Sequence, residues 1–150
     1  MLKKMKWKRC LILEDDAIFN YPKERILYII TEFLQTHDKN WDVFMLSTYW
    51  TDMADTELDF IKKLIWGTTF TSYIVNEHYI DKLLCNFRES RQLLYEEVEQ
   101  FKINSPNKKL RETANALDQH SQKIQRTDNW YISHPYICVQ SPHLYSSTMQ

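Results

Sequence analysis

A single glycine, Gly67, serves the whole chain of 150 residues. Loops that wrap a phosphate need several glycines, because only a bare backbone can bring its N–H groups close enough. The nucleophile elbow of hydrolases needs glycines on both sides of its serine. P-loop ATPases, nicotinamide dehydrogenases and α/β-hydrolases are therefore unsupported. Cysteine is also sparse. Cys10, Cys85 and Cys138 lie far apart, so neither a disulfide framework nor a zinc-ligand spacing can be built from them. Cys10 and Cys138 fall in apolar runs and read as core thiols, which suits a reducing compartment. No stretch approaches the ~20 apolar residues of a membrane span. The basic start fails as a signal peptide, because carboxylates cut its apolar region short. Neither charge sign dominates, at 19 basic against 20 acidic residues, so no nucleic acid or anionic membrane is expected as partner. These features predict a cytoplasmic protein.

What the chain does have is a core's worth of apolar side chains, including five Trp, nine Tyr and seven Phe. Its length suits one domain, residues 1–150. Lys3, Lys4, Lys6, Lys8 and Arg9 cluster at the start and read as a solvated arm, with a phosphate-steering patch as the alternative. Residues 9–14 read as a buried strand. Pro22 suits the first turn of a helix, and Ile26, Ile29, Ile30, Phe33 and Leu34 continue at helical spacing over 22–36. Residues 41–46 read as a second strand that runs out into Ser47 and Thr48. Residues 49–59 lack a period and read as loop. Phe60 to Trp66 suits strand or helix, with Gly67 breaking the run. Phe70 to Val75 reads as a strand. Asn76 is a plausible N-cap for a helix from Glu77, with a second helical stretch over 93–101. Residues 107–129 are polar and poorly patterned, suiting an ordered loop or a mobile segment. Short strands follow at 130–133 and 136–139. Strands alternating with helices predict an α/β sheet with flanking helices.

Glu14, Asp15 and Asp16 follow the first strand directly. Three adjacent carboxylates repel one another, and something must balance them or water must solvate them. A hard divalent cation, Mn²⁺ or Mg²⁺, is the cheapest counter-charge and would in turn hold a phosphate-bearing ligand. A solvated acidic turn is the plain alternative. In open α/β sheets ligands sit at the C-terminal ends of strands. Both the acidic triplet and Ser47-Thr48 fall at such ends. If the backbone stays extended, Glu14 and Asp16 point to one face.

These residues resemble glycosyltransferase family 25, which includes lipooligosaccharide and collagen galactosyltransferases. Leu11-Ile12-Leu13-Glu14-Asp15-Asp16-Ala17 is similar to the family's acidic-motif strand. Trp41 to Leu46 resembles its second strand. Gly67-Thr68-Thr69, Tyr73-Ile74-Val75, Tyr79-Ile80 and Leu83-Leu84 resemble a later strand and helix. Ala116-Leu117-Asp118 resembles its "pvD" segment. His134-Pro135-Tyr136, Val139-Gln140 and Ser146-Ser147 resemble its ending. The segments occur in the family's order over residues 9–148.

The resemblance implies a partial GT-A-like sheet and a metal-dependent, inverting sugar transfer from a nucleotide-sugar donor such as a UDP-sugar. The acceptor would be a hydroxyl on a glycan, a lipid-linked sugar or a protein, as in lipopolysaccharide biosynthesis. It makes Asp16 and Glu14 the metal ligands, and places Glu14, Asp15, Ser47 and Thr48 at the donor. Asp118 becomes the base that faces the acceptor; a surface Asp on a polar helix is its plain reading. The family carries a stretch of roughly a hundred residues before this motif, so the resemblance covers the C-terminal part of a domain. The sheet edge beside the first strand would then need cover from the N-terminal arm, a partner chain or an oligomer. A non-catalytic binding or assembly module is the alternative function. A phosphoacceptor domain is weaker, since Ser47-Thr48 stands where its later aspartate belongs. His37, His78, His120, His134 and His143 read as surface or strand-capping groups; the alternative for His134 and His143, which flank the last strand, is that they complete a metal site, as the GT-A resemblance implies.

Overall fold

The computed structural model describes residues 7–38, 40–105 and 113–141. Within them the chain is mixed α/β, as its alternating pattern predicts. Six strands form the main sheet: β1 (Arg9–Leu13), β3 (Val43–Met45), β4 (Tyr49–Asp55), β5 (Ile61–Thr68), β6 (Ser72–Asn76) and β7 (Trp130–Ser133), in the order β1-β6-β3-β7-β5-β4. Only β3 and β7 run parallel; the other neighbours are antiparallel. A separate ribbon pairs β2 (Ala17–Phe19) with β8 (Cys138–Gln140).

Both faces of the central strands are covered, so β3 and β6 are buried at every position. One face meets α1 (Lys23–His37), whose Ile29 and Phe33 pack with Trp41, Phe44, Leu46 and Ile137. All five residues of its predicted apolar stripe join this cluster. Pro22 stands just ahead of the helix, at its N-cap. The other face gathers Val43, Val75, Trp130 and Ile132 with Tyr79, with Ile80 and Leu83 of α2 (Ile80–Asn104), and with Ile124 of α3 (Leu117–Gln125). Tyr73 is buried in this second cluster.

Several local expectations are corrected. Residues 49–55 form strand β4, where a loop was expected. Two register shifts against β5 break its period-2 signal, and Trp50 takes a positive φ of 41°. Gly67 lies inside β5 and does not end it. Asn76 stands at the N-cap position of the helical segment that starts at Glu77, but that segment opens as a 3₁₀ turn (Glu77–Tyr79) ahead of α2, and the Asn76 side chain makes no capping bond: its amide donates to the carbonyl of Trp41, at 3.1 Å. The two helical stretches beyond Glu77 merge into α2. Helix α3 forms within the poorly patterned 107–129 region. Lys3, Lys4, Lys6, His143, Ser146 and Ser147 lie outside the described residues. No described helix is long and apolar enough to cross a membrane.

Candidate functional site

Strand β1 ends at Leu13, opposite Ser72 of β6. The backbone then turns: the N–H of Ala17 donates to the carbonyl of Glu14 at 3.2 Å, while the N–H of Glu14 donates to the carbonyl of Thr71 at 2.9 Å. The carbonyl of Asp16 accepts the N–H of Ser141 at 2.8 Å. The backbone is not extended beyond Glu14, so the period of two no longer fixes where Glu14 and Asp16 point. Glu14 lines a cavity of about 210 Å³ with Thr69, Phe70, Leu117, Asp118 and Gln140. Asp16 does not line it, and one of its carboxylate oxygens is buried without a hydrogen-bond partner. Asp15 is exposed and lines neither this cavity nor its neighbour.

Asp118 comes from the first turn of α3. Its Oδ2 accepts the N–H of Thr69 at 3.1 Å and its Oδ1 accepts the N–H of Gln119 at 2.9 Å. A carboxylate near a helix start also gains from the exposed N–H groups there. Helix α3 is fixed against the sheet by Gln125, whose Oε1 accepts the N–H of Gly67 at 2.8 Å. It is fixed against α2 by Asn86, whose amide donates to Ser121 Oγ at 2.7 Å. Through these ties the fold brings Asp118 to Glu14 from far along the chain.

Ser47 and Thr48, buried just past the end of β3, line a second cavity of about 260 Å³. Thr69 and Gln140 border both cavities, so the two adjoin. Thr48 Oγ1 donates to the carbonyl of Thr68 at 2.7 Å, so that hydroxyl already serves the backbone. Thr69 has φ of 65°. For a β-branched residue this is a strained conformation, costing about 1–3 kcal/mol. Its own N–H is the one that Asp118 holds, so the strained residue and the candidate base are coupled.

Charge concentrates on Glu14. The residue remains open to solvent, yet the protein crowding its carboxyl raises its pKa above the usual carboxylate range. The Asp16 carboxylate adds to that rise, the Thr71 hydroxyl opposes it, and Asp15 and Asp118 add smaller contributions. Nearby, burial pushes the Tyr73 phenol well up, with Glu14 adding to the effect.

The sequence reading named Glu14, Asp118, Ser47 and Thr48, and the fold gathers all four at the two adjoining cavities. It missed Thr71 and Phe70, and met Thr69 and Gln140 only as parts of matched segments. A larger cavity of about 430 Å³ lies on the α1 side, among His37, Glu57, Lys63 and Tyr131. There Lys63 Nζ donates to the Asp128 carbonyl at 2.8 Å and to Asn129 Oδ1 at 3.1 Å, and His37 Nδ1 bonds the Phe33 carbonyl at 3.2 Å. Those groups serve the fold. The smaller pair has free carboxylate capacity at strand ends, where α/β sheets place ligands, and is the better candidate despite its size.

The described histidines line neither of these two cavities. His78 pairs with Asp42 at 2.7 Å, His120 faces Glu89 at 3.4 Å and the His134 ring meets Tyr136 edge-on. Among the described residues no group of three or more His, Cys, Asp or Glu is gathered to hold a metal ion. No family model matches the chain, and no curated protein matches it.

Proposed function

We propose that the chain is a glycosyltransferase of the family 25 kind, or a piece of one, with a GT-A-like sheet, acting at the two adjoining cavities. One observation carries the reading: Glu14 and Asp118, the acidic residues that the resemblance placed at donor and acceptor, border a single cavity. The roles follow from the chemistry. Asp118 takes the proton of the acceptor hydroxyl as that oxygen attacks the sugar. Its two N–H donors, from Thr69 and Gln119, hold the carboxylate in place. Each oxygen keeps a lone pair for the incoming proton. Ser47 and Gln140 supply polar contacts to the sugar; the Thr48 hydroxyl, placed at the donor by the sequence, is held by the Thr68 carbonyl instead.

Mn²⁺ or Mg²⁺ is fitted by the donor set only in the way these ions commonly bind, through one or two carboxylates plus phosphate oxygens of the ligand. Glu14 is the carboxylate placed to do this. Asp16, which does not line the cavity, acts on Glu14 through its charge. When bound, the cation would stabilise the diphosphate leaving group without proton transfer.

A second reading has support from the cavity volumes. Each cavity is below the roughly 300–1,000 Å³ usual for small-molecule sites. A non-catalytic module that binds only part of a nucleotide sugar fits that size. Calorimetry of UDP with Mn²⁺, followed by a transfer assay with UDP-sugars, separates the two. The enzyme reading requires metal-dependent UDP binding, weakened in Glu14→Gln, and transfer that disappears in Asp118→Asn while UDP binding survives. Binding without transfer supports the module. No binding of UDP with or without metal removes both.

A further inference from the structure

Strand β1 is an edge strand, and no described residue pairs with its outer side. Its register with β6 tells which backbone groups are left over. The N–H of Glu14 donates to Thr71, and the carbonyl of Lys8 accepts from Glu77. Residues 8, 10, 12 and 14 therefore turn their backbone groups inward to β6. Alternation then points the N–H and C=O of Arg9, Leu11 and Leu13 outward. The same three side chains lie on the α1 side of the sheet, beyond the reach of that helix. Leu11 is 47% exposed and Leu13 44%, and Trp7 just before the strand is 45% exposed. An open strand edge with an apolar face is a template for pairing with another chain.

The sequence around this edge is self-complementary. It reads Lys8-Arg9 before the apolar centre and Glu14-Asp15 after it. A two-fold axis through Leu11 sets two copies antiparallel, with Leu11 opposite Leu11. Arg9 then stands opposite Leu13, and all three outward residues meet outward residues, so each pair exchanges two backbone hydrogen bonds. In that register Lys8 of the partner subunit stands opposite Glu14, so opposite charges meet at both ends. A parallel pairing in register would set Lys8 against Lys8 and Glu14 against Glu14. The charges thus choose the antiparallel arrangement.

We propose that β1 is a homodimer interface, pairing antiparallel about Leu11 and joining two six-stranded sheets into one. The occupant of the edge is a second copy of this chain. The partner's Lys8 would bring a cation to Glu14, so the dimer touches the candidate site without depending on the sugar-transfer reading.

The test uses the full chain and analytical ultracentrifugation over a concentration series. The wild type should reach twice the 18.3 kDa mass of one chain. Lys8→Glu should weaken dimerisation about tenfold or more, by placing like charges opposite each other. The charge swap Lys8→Glu with Glu14→Lys should recover it. Backbone hydrogen exchange on the wild type gives a second readout that needs no variant. The amides of Arg9, Leu11 and Leu13 should become protected as concentration rises. A wild type that stays monomeric overturns the proposal. A dimer indifferent to Lys8→Glu, or a swap that fails to recover, overturns the register. Protection of those amides at every concentration in a monomer would show that another segment of this chain covers the edge.

Discussion

Replacing Gly67 with alanine tests how the site is packed. A Cβ at position 67 would lie 2.4 Å from Thr48 Oγ1, with Leu64 and Thr51 at 3.4 Å. Thr48 is buried and its hydroxyl is committed to the Thr68 carbonyl. Two responses are open. If the hydroxyl stays, the overpacking costs about 1–3 kcal/mol. If it rotates away, the Thr68 carbonyl loses a buried partner, at about 1–3 kcal/mol. Replacing glycine stiffens the unfolded chain, which returns about 0.4–1 kcal/mol. The net loss is about 1–1.5 kcal/mol, or roughly 2–6 °C in Tm for a domain of this size. Removing the obstructing hydroxyl should relieve the clash. In Gly67→Ala with Thr48→Ala, the combined loss should fall short of the sum of the single losses by about 1–2 kcal/mol. Thermal and urea melts of the four proteins complete the cycle. Strictly additive losses, or a Gly67→Ala variant within about 0.5 kcal/mol of wild type, would refute the reasoning.

Three further outcomes follow from the charge and strain around the site. Glu14 has its pKa raised in the fold, so its charged form opposes folding: the favourable contribution exists at low pH and is lost as pH rises through the folded value. Glu14→Gln should therefore gain a few tenths of a kcal/mol at neutral pH, reduced by solvent screening, with no gain near pH ~3, as read by melts at both pH values. Asp16→Asn should lower the titration midpoint of the Glu14 carboxyl in ¹³C NMR, since Asp16 is its strongest like-charged neighbour; an unmoved midpoint would contradict the turn geometry. For Asp128, burial alone would raise the carboxyl, but hydrogen bonds from Lys82, Tyr79 and Thr127 outweigh it and hold the pKa below the ordinary value. Its contribution is present above about pH 3.9 and lost as pH falls through the folded value. Asp128→Asn should cost about 1 kcal/mol at pH 7 and progressively less in acid, as melts across that range will show.

The parts of the fold that were legible in sequence are those where one face decides a residue's fate. Helix α1 showed its stripe because one side meets the sheet and the other meets water. Strands β3 and β6 showed as apolar runs because their neighbours bury them; β1 carries the same kind of run and was expected to be buried, but it stands at the sheet edge with no residue buried. Strand β4 stayed hidden because bulges against β5 break its alternation. Helix α3 stayed hidden because its inward side chains include Ser121 and Gln125, polar groups that hydrogen-bond to α2 and to Gly67. The site was legible in part. Carboxylates at a strand end are a local signal, and Glu14 was found that way. The partition of the triplet was not local: only the turn at residues 14–17 sends Glu14 into the cavity and Asp16 out of it. Asp118 had no spacing signal of its own and entered through a resemblance alone. The role of Thr69 depends on a left-handed backbone that no side-chain pattern announces.

The most direct test of the account is paramagnetic broadening of backbone amide signals by Mn²⁺, titrated into isotope-labelled protein with UDP present. The account predicts that the amides of Glu14, Thr69, Thr71 and Asp118 broaden first, and that Glu14→Gln suppresses the effect. Broadening centred on Thr36, His37 and Lys63, or none at all up to metal concentrations that broaden every exposed carboxylate alike, would contradict it.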